Sequence, residues 1–295
     1  MIQNLELFRP SLRIFPLYFL LLFIFVFVIY SNNANISDYL FKEKLSLISY
    51  FVFAQNFYVA KIGDFGPNWL SVAWSLAVEE QFYLFIPWVI VYFKRGYAIL
   101  FICILLVTAP IWRFQIGGIA AYVLPFCRAD SILMGSLCAF LVTSSYWEFL
   151  RMKLFNNNNI IICFILLGVI SFLINLGQIG GVSNHLYFSF LFSFVILIAY
   201  NNSFTPIKKL LNLNWLAWLG IRCFPIYLFH LPVNSIFQEL LLIKPYAIYD
   251  SYSFAVVLIS LSVTLLLANF SHNYFESYFL KMGDRYKYSD VQASS

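Results

Sequence analysis

Charged side chains are scarce in this sequence. Of its 295 residues only 11% are Asp, Glu, Lys or Arg, whereas 62% are hydrophobic and 21% are aromatic. A soluble globular domain has about a quarter of its residues charged, because its surface faces water. The composition therefore excludes an ordinary soluble domain and indicates an integral membrane protein. The net charge of +5 is not gathered into a basic run, so nothing in the sequence suits nucleic acid.

Cysteine is also scarce, and the five copies lack the spacing of a metal site or of a disulfide framework. Each lies in an apolar segment and is expected to pack as a small buried residue. The phosphate-binding glycine loops, the Gly-x-Ser-x-Gly turn and the His-Glu-x-x-His zinc motif are absent. The sequence thus predicts no metal and no permanently bound cofactor, and it excludes the common soluble-enzyme motifs.

Long apolar runs dominate the chain. A helix that crosses a bilayer needs about 20 mostly apolar residues, with a range of about 17–25. The stretch 45–60 is short and is interrupted by Gln55 and Asn56, so we expect it to lie on the surface or to re-enter. We predict an all-α, polytopic membrane helical bundle with about eight transmembrane helices. The candidate spans are residues 14–30, 74–93, 97–112, 122–142, 160–176, 186–200, 215–237 and 253–270.

The positions of lysine and arginine test this count. Cytoplasmic loops of membrane proteins carry an excess of both. With a cytoplasmic N-terminus and eight crossings, eleven of these residues fall inside and five outside, while Arg128 and Arg222 lie in or beside spans. A ninth crossing by 45–60 would reverse this bias. We therefore expect a multi-pass protein of the inner (plasma) membrane with both termini cytoplasmic, an integral membrane domain over 1–280 and a polar cytoplasmic tail over 281–295.

The most informative stretch is Trp-Ser-Leu-Ala-Val-Glu-Glu-Gln-Phe-Tyr-Leu at 74–84. It places Glu79 and Glu80 in an apolar run, where acidic side chains are costly and often mark a pathway or a catalytic site. At 3.6 residues per turn Glu79 and Tyr83 share a helix face, and Glu80 is rotated from Glu79 by about 100° about the helix axis. We expect at least one carboxylate to point into the bundle. The alternative is a helix that begins at the water interface with both carboxylates solvated.

The fourth apolar run opens with another pair of charged residues, Arg128 and Asp130. They could pair with each other, or with Glu79 or Glu80. Such a pair could be a structural ion pair that holds helices together, or it could bind substrate. Both interpretations are compatible with the sequence.

The seventh run contains two prolines and a glycine between residues 219 and 232. They predict a kinked or broken helix, which a membrane protein tolerates where its backbone groups find partners. Tyr227 and His230 are three residues apart and share a face. His230 is either a hydrogen-bonded core residue or a functional group acting with Tyr227 and Arg222. The two other histidines, His185 and His272, are expected to be interface residues.

Taken together, these stretches resemble the membrane-bound acyltransferase-3 family. The run 74–84, followed by Pro87, is similar to the family signature Trp-Ser-Leu-x-Val-Glu-Glu-Gln-Phe-Tyr-Leu. The similarity extends from about residue 7 to residue 280, in the family's order. Its further matches are Arg128-x-Asp130 with Gly135, residues 220–232, Arg9 with residues 13–18, and residues 274–276.

The resemblance implies an acyltransferase that transfers groups other than aminoacyl groups. It would move an acyl group, often acetyl, from acyl-coenzyme A as co-substrate to a hydroxyl of a surface or exported glycan or of a lipid-linked sugar. Its partners would be that acceptor, acyl-coenzyme A and membrane lipid. The implied site has Glu79, Glu80 and His230 as catalytic candidates. Arg9 and Arg13 would bind the phosphates of coenzyme A, because guanidinium groups suit phosphate. The residues that would bind the acceptor are Tyr83, Arg128, Asp130 and Tyr227.

Two departures from the family pattern affect this expectation. The family usually has two spans before the arginine-bearing entry, and the first carries a histidine thought to be the catalytic base, whereas no histidine precedes His185 here. The family's arginines often read Arg-x-x-Arg, but Pro10 stands three residues before Arg13. We therefore expect an acyltransferase architecture with a truncated front end, which is either an inactive remnant or part of a longer protein. A transporter or flippase for a lipid-linked sugar is the alternative function, and a scaffold subunit is a third.

Overall fold

The computed structural model describes residues 3–30, 45–154, 159–160, 162–163, 166, 184–201, 205–242 and 248–284. Helices account for all regular secondary structure in these ranges, which confirms the all-α prediction. Most of the predicted span 160–176, and the tail after 284, lie outside them. A 3-10 turn at Pro125–Cys127 precedes the helix that begins at Ala129, and a π-helical turn at Ser271–Glu276 joins the last two helices. In chain order the helices are α1 (Gln3–Tyr30), α2 (Leu47–Phe51), α3 (Gln55–Ile62), α4 (Ala73–Tyr92), α5 (Arg95–Ile116), α6 (Gly118–Val123), α7 (Ala129–Val142), α8 (Trp147–Leu154), α9 (Asn184–Asn201), α10 (Thr205–Leu211), α11 (Asn214–Ile221), α12 (Cys223–Leu241), α13 (Ser251–Phe270) and α14 (Ser277–Asp284).

Two helices are long and apolar enough to cross a bilayer, Arg95–Ile116 and Ser251–Met282. Two bent pairs qualify only when each is taken as one span. The first is α7 with α8, bent by 101°, and the second is α11 with α12, bent by 73°. The described residues therefore contain two to four candidate spans, and the larger count of eight stays a prediction. Helix α4, which carries Glu79 and Glu80, has 20 residues but is not among these candidates.

The chain divides into two compact units. The first comprises Met1–Tyr50, Phe65–Ala73 and Trp218–Ser295, and the second comprises Phe51–Asp64 and Trp74–Ala217. The predicted single domain over 1–280 stays a prediction.

The first unit is built on α12 packed along α13, with a polar seam between them. Ser260 of α13 donates a hydrogen bond to Asn234 Oδ1 at 3.0 Å, and Gln238 donates to the same oxygen at 3.2 Å. Small and hydroxyl-bearing residues let membrane helices approach closely and bond across the contact. Helix α1 adds a buried apolar face, and its Tyr18 hydroxyl donates to the Tyr50 carbonyl at 2.8 Å.

The break predicted in the seventh run is confirmed, and it falls at Arg222. The bend of 73° separates α11 from α12 at this residue. Pro225 then lies in the first turn of α12, where its missing N–H removes no helical hydrogen bond. The proline thus favours a new helix start rather than a kink inside one helix.

The second unit has its core between α4, α5 and α7. Along α5 the buried positions recur every three or four residues, which is the period of one helix face. That face ends in a buried charged side chain, Arg113. The buried positions of α5 are Ala98, Ile102, Leu106, Ala109 and Arg113.

The stretch 45–60 forms no single helix. Phe53 has a left-handed backbone conformation, with φ at 52°, and it separates α2 from α3. Helices of five and eight residues are too short to span a bilayer. Gln55 and Asn56, which interrupt the stretch in sequence, are fully buried within the second unit.

We predict that the N-terminal cap of α13 depends on pH. Asp250 accepts a hydrogen bond from the Ser253 backbone N–H at 2.7 Å in a capping box, and this bond lowers the pKa of the Asp250 carboxyl. Because the pKa is lower in the folded state, the ionised cap stabilises the fold above the unfolded pKa of about 3.9 and loses this effect as pH falls through the folded value. Asp250→Ala should therefore lower the thermal unfolding midpoint in detergent at pH 7, and the deficit should shrink towards pH 3.

Asp250→Asn is the matched control, since asparagine also caps helices but does not titrate. The advantage of wild type over this variant should vanish at low pH. A deficit of Asp250→Ala that is the same at pH 7 and pH 3 would contradict the role of the charge.

Candidate functional site

Helix α4 places its two adjacent carboxylates in different surroundings. Glu79 is exposed, whereas Glu80 is half-buried. The Glu80 Oε1 atom is enclosed and has no hydrogen-bond partner among the described residues. An enclosed polar atom without a partner is costly, so such a group in a native fold calls for an explanation. A ligand hydroxyl would supply the missing donor. Tyr83, one turn beyond Glu79, is 36% exposed.

The glutamine that follows the carboxylates has a structural role. Gln81 Nε2 donates to the Phe53 carbonyl at 2.8 Å and to Asn56 Oδ1 at 2.9 Å, and Asn56 Nδ2 donates back to Gln81 Oε1 at 3.2 Å. This amide pair ties α4 to α3 and holds the left-handed turn at Phe53, a conformation that is strained for a bulky residue. Gln81 thus has a structural role, beside two carboxylates that are candidates for chemistry.

Arg128 lies in a cluster of aromatic rings at the start of α7. Its guanidinium carbon is 4.9 Å from the ring centre of Tyr122 and 5.7 Å from that of Trp74, which is cation–π distance. Arg128 Nη1 is 2.8 Å from His185 Nδ1 and 3.0 Å from its Nε2. Guanidinium only donates, so the accepting nitrogen is unprotonated and the imidazole is neutral. His185, expected to be an interface residue, is therefore part of this cluster.

Asp130 is fully buried and forms a bidentate ion pair with Arg113. The distances are 2.8 Å from Nη1 to Oδ1 and 2.6 Å from Nη2 to Oδ2. The Ser131 N–H donates to the same carboxylate at 2.9 Å, and Arg113 also donates to the Cys127 carbonyl. Of the two interpretations open in the sequence, this geometry favours the structural ion pair.

The partner of Asp130 is not one that the sequence suggested. The sequence suggested Arg128, Glu79 or Glu80, and the predicted span 97–112 ended one residue before Arg113. Helix α5 continues to Ile116, so Arg113 occupies its buried face in the last turn. One sequence signal could have indicated the burial of Arg113: it follows Ala109 by four residues and so shares its helix face.

In the first unit, α12 carries the predicted pair Tyr227 and His230. The Tyr227 hydroxyl donates to the Val72 carbonyl at 3.1 Å. His230 Nδ1 lies 2.6 Å from the Tyr227 carbonyl, and because a carbonyl only accepts, Nδ1 carries the proton. In the neutral imidazole the lone pair is then on Nε2, which is the tautomer that a general base needs. His230 is half-buried.

The predicted donor-binding arginines lie on α1 of the same unit. Arg13 is exposed, and its Nη2 is 3.6 Å from Cys223 Sγ at the start of α12. Arg9 lies in α1, but its side chain is outside the described part of the structure. The catalytic candidate His230 and the donor-binding arginines thus lie in the first unit. The catalytic candidates Glu79 and Glu80 lie with Arg128 in the second unit.

The second unit also contains a cavity of about 560 Å³ with an almost wholly apolar wall. Its one amide, Gln81, is bonded to Phe53 and Asn56 as described above. Among the described residues that line it, none is charged. The space therefore suits hydrocarbon rather than a sugar or a phosphate. Its wall includes Phe57, Val78, Phe82, Leu105, Phe126 and Leu133.

Comparison with known proteins points to one chemical class. The chain is 25% identical over 273 residues to a protein of Staphylococcus aureus (strain COL) that is named provisionally as an O-acetyltransferase, an alignment that covers 84% of this chain and 43% of the relative. It is 27% identical over 232 residues to O-acetyltransferase OatA of Staphylococcus aureus (strain NCTC 8325 / PS 47), with 72% and 36% covered. The chain thus spans less than half the length of these curated relatives. No protein-family model matches it, and no solved structure matches at a significant level.

The chain is therefore a distant relative of proteins named O-acetyltransferases, and this agrees with the chemistry of its polar groups. Acyl transfer to a hydroxyl needs a base and hydrogen-bond donors for the oxyanion. The candidate bases are Glu80 in the second unit and His230 in the first, and the candidate donors are Arg128 and Arg13. Within the described residues no group of three His, Cys, Asp or Glu side chains is placed to hold a metal ion.

We predict that removal of one partner from the buried pair destabilises the protein strongly. Asp130→Asn or Arg113→Gln should cost about 3–5 kcal/mol of unfolding free energy, because each leaves an uncompensated buried charge. Unfolding in mixed micelles would measure this cost. The exposed pair Arg151–Glu148, at 2.8 Å, is the matched control. Arg151→Gln should cost no more than about 0.5 kcal/mol.

The double variant Arg113→Met with Asp130→Leu separates charge from packing. It should recover most of the loss, because no unpaired charge remains in the core. Equal destabilisation by Asp130→Asn and by Arg151→Gln would mean that the buried pair is not structural.

Proposed function

We propose that this chain is a membrane O-acyltransferase that moves an acyl group, acetyl in the first instance, from acyl-coenzyme A to a hydroxyl of a cell-envelope polysaccharide or a lipid-linked sugar. The structural observation that carries the proposal is the enclosed Glu80 Oε1 without a hydrogen-bond donor. A sugar hydroxyl would satisfy it. The names of the relatives support the reaction class.

The proposed reaction is nucleophilic attack of the acceptor hydroxyl on the thioester carbonyl. The hydroxyl oxygen forms the new C–O bond while its proton passes to a base, and the C–S bond breaks to release coenzyme A, which takes up a proton as its thiol. Glu80 in the second unit and His230 Nε2 in the first unit are the two candidate bases. Both have a lone pair that no described residue engages.

The remaining residues take supporting roles in this proposal. In the second unit Arg128, whose guanidinium lies over two aromatic rings, would contact the acceptor together with Tyr83, which is exposed on α4. Tyr227 of the first unit is proposed separately as an acceptor contact. Asp130, with its carboxylate bonded to Arg113, would fix the turn from which Arg128 projects. Glu79, which is exposed, would assist acceptor binding.

Arg9 and Arg13 would bind the phosphates of acyl-coenzyme A, as their guanidinium chemistry favours. We further propose that the chain crosses the plasma membrane eight times with both termini in the cytoplasm. This topology would give the arginine-bearing end of α1 access to cytoplasmic acyl-coenzyme A. The proposal rests on the inside excess of lysine and arginine.

Substitution of Glu80 tests the proposal. The full chain in lipid nanodiscs would receive radiolabelled acetyl-coenzyme A and envelope glycan from the cells that express it. Glu80→Gln should lower kcat about 10²- to 10⁴-fold, the usual contribution of a general base, and leave the KM for acetyl-coenzyme A unchanged. Glu79→Gln should have a smaller effect, mainly on the KM for the acceptor.

Glu148→Gln removes a carboxylate from a surface ion pair and should transfer acetyl like wild type. Unchanged glycan acetylation by Glu80→Gln would show that Glu80 is not the base. Movement of labelled glycan across vesicles without any acyl donor would instead establish the alternative function, a transporter or flippase.

A further inference from the structure

Positive groups converge at the end of the first unit where α1, α12 and the π-helical turn meet. Helix α1 packs against the π-helical turn and α14. Arg13 of α1 reaches Cys223, the first residue of α12, and Arg222 occupies the break just before that residue. The N-terminal end of a helix carries a partial positive charge, so α12 adds to the potential of both guanidinium groups.

Neutral groups hold the Arg222 guanidinium in place. Its Nε donates to Asn269 Oδ1 at 2.9 Å, and its Nη2 donates to Asn273 Oδ1 at 3.3 Å. Its Nη1 donates to the Trp218 carbonyl at 3.2 Å, and the guanidinium stacks 4.6 Å from the Trp218 ring. These contacts orient the group without neutralising it.

One histidine and one carboxylate face the two arginines. His272 lies in the electrostatic field of Arg222 and Arg13, and its Nδ1 is enclosed without a hydrogen-bond partner among the described residues. Glu276 is buried and accepts from the Ser271 hydroxyl at 2.9 Å, and it also lies in the field of Arg13. Among the described side chains, Glu276 is thus the one carboxylate that opposes two guanidinium groups and a helix N-terminus.

We infer that Arg13, Arg222 and His272 form a binding site for a phosphate-bearing anion. Guanidinium groups bind phosphate oxygens through pairs of charge-assisted hydrogen bonds. The Nδ1 of His272 would supply a further donor to the anion, which would relieve its enclosed, unbonded state. The anion would also remove the mutual repulsion of the two arginines and the helix end. The sequence suggested Arg222 only as a partner of His230 and His272 only as an interface residue, so neither was expected at an anion site.

Two sources could supply this phosphate: the phosphates of coenzyme A, and the headgroup of an anionic lipid. The first source rests on the proposed function, whereas the anion chemistry does not. If coenzyme A is the ligand, Arg222 and His272 are further donor-binding residues beside Arg13.

Binding measurements on the full chain test this inference. Purified protein in phosphatidylcholine nanodiscs would be titrated with coenzyme A and, separately, with inorganic pyrophosphate. Arg13→Gln and Arg222→Gln should each weaken binding at least tenfold. Arg13 is exposed, so its replacement leaves the packing intact and keeps the test valid if Arg222→Gln misfolds. Arg151→Gln, which removes a surface guanidinium in the second unit, should bind within twofold of wild type.

Nanodiscs with phosphatidylglycerol distinguish the two sources. Weaker binding of coenzyme A to wild type in these discs, but not to Arg13→Gln, would identify an anionic headgroup as an occupant of the same site. Wild-type affinity in both Arg13→Gln and Arg222→Gln would overturn the inference. So would a wild-type protein that binds neither coenzyme A nor pyrophosphate nor phosphatidylglycerol. Phosphate binding that depends on both arginines, in a protein that transfers no acetyl, would overturn only the proposed function.

Discussion

The buried ion pair of Arg113 and Asp130 is the constraint on which the second unit depends. A charge placed alone in an apolar interior is costly, so each of these residues requires the other, and α5 and α7 must meet where the two side chains do. The pair also bonds to the Cys127 carbonyl and to the Ser131 N–H, so it fixes the turn between α6 and α7. Arg128 projects from this turn towards its aromatic cluster. The geometry of a candidate functional residue thus depends on a contact that takes no part in chemistry.

The same rule, that polar groups in an apolar interior must bond to one another, explains most of the remaining polar side chains. Asn234, Gln238 and Ser260 satisfy each other between α12 and α13, and Asn56 and Gln81 do so between α3 and α4. Against this background, the enclosed atoms Glu80 Oε1 and His272 Nδ1 differ, since no described residue bonds to them. They lie in different units, and each is the centre of one of our proposals.

Composition and periodicity were sufficient to predict the helices, but not which polar residues would meet. The break in the seventh run followed from its prolines, because proline is favoured in the first turn of a helix. The stretch 45–60 was judged too short to cross, and the structure divides it into two short helices. Arg113 was misplaced because a helix end extended four residues beyond its apolar run, from 112 to 116. The roles of His185 and Gln81 depend on contacts with residues 25 to 57 positions away, which no local pattern encodes.

The π-helical turn at Ser271–Glu276 has a consequence for how sequences of this kind are compared. Such a turn corresponds to one extra residue in an α-helix, and it rotates all later side chains by about 100° relative to an unbroken helix. A relative whose last helix is regular would then align with a one-residue gap near His272, and the residues after the gap would still match in phase. The residue of that relative aligned with Glu276 would lie on the same helix face, although one residue fewer would separate it from the preceding helix. The position of a one-residue gap in an alignment of this segment thus indicates which of the two proteins has the π-helical turn and which has a regular α-helix.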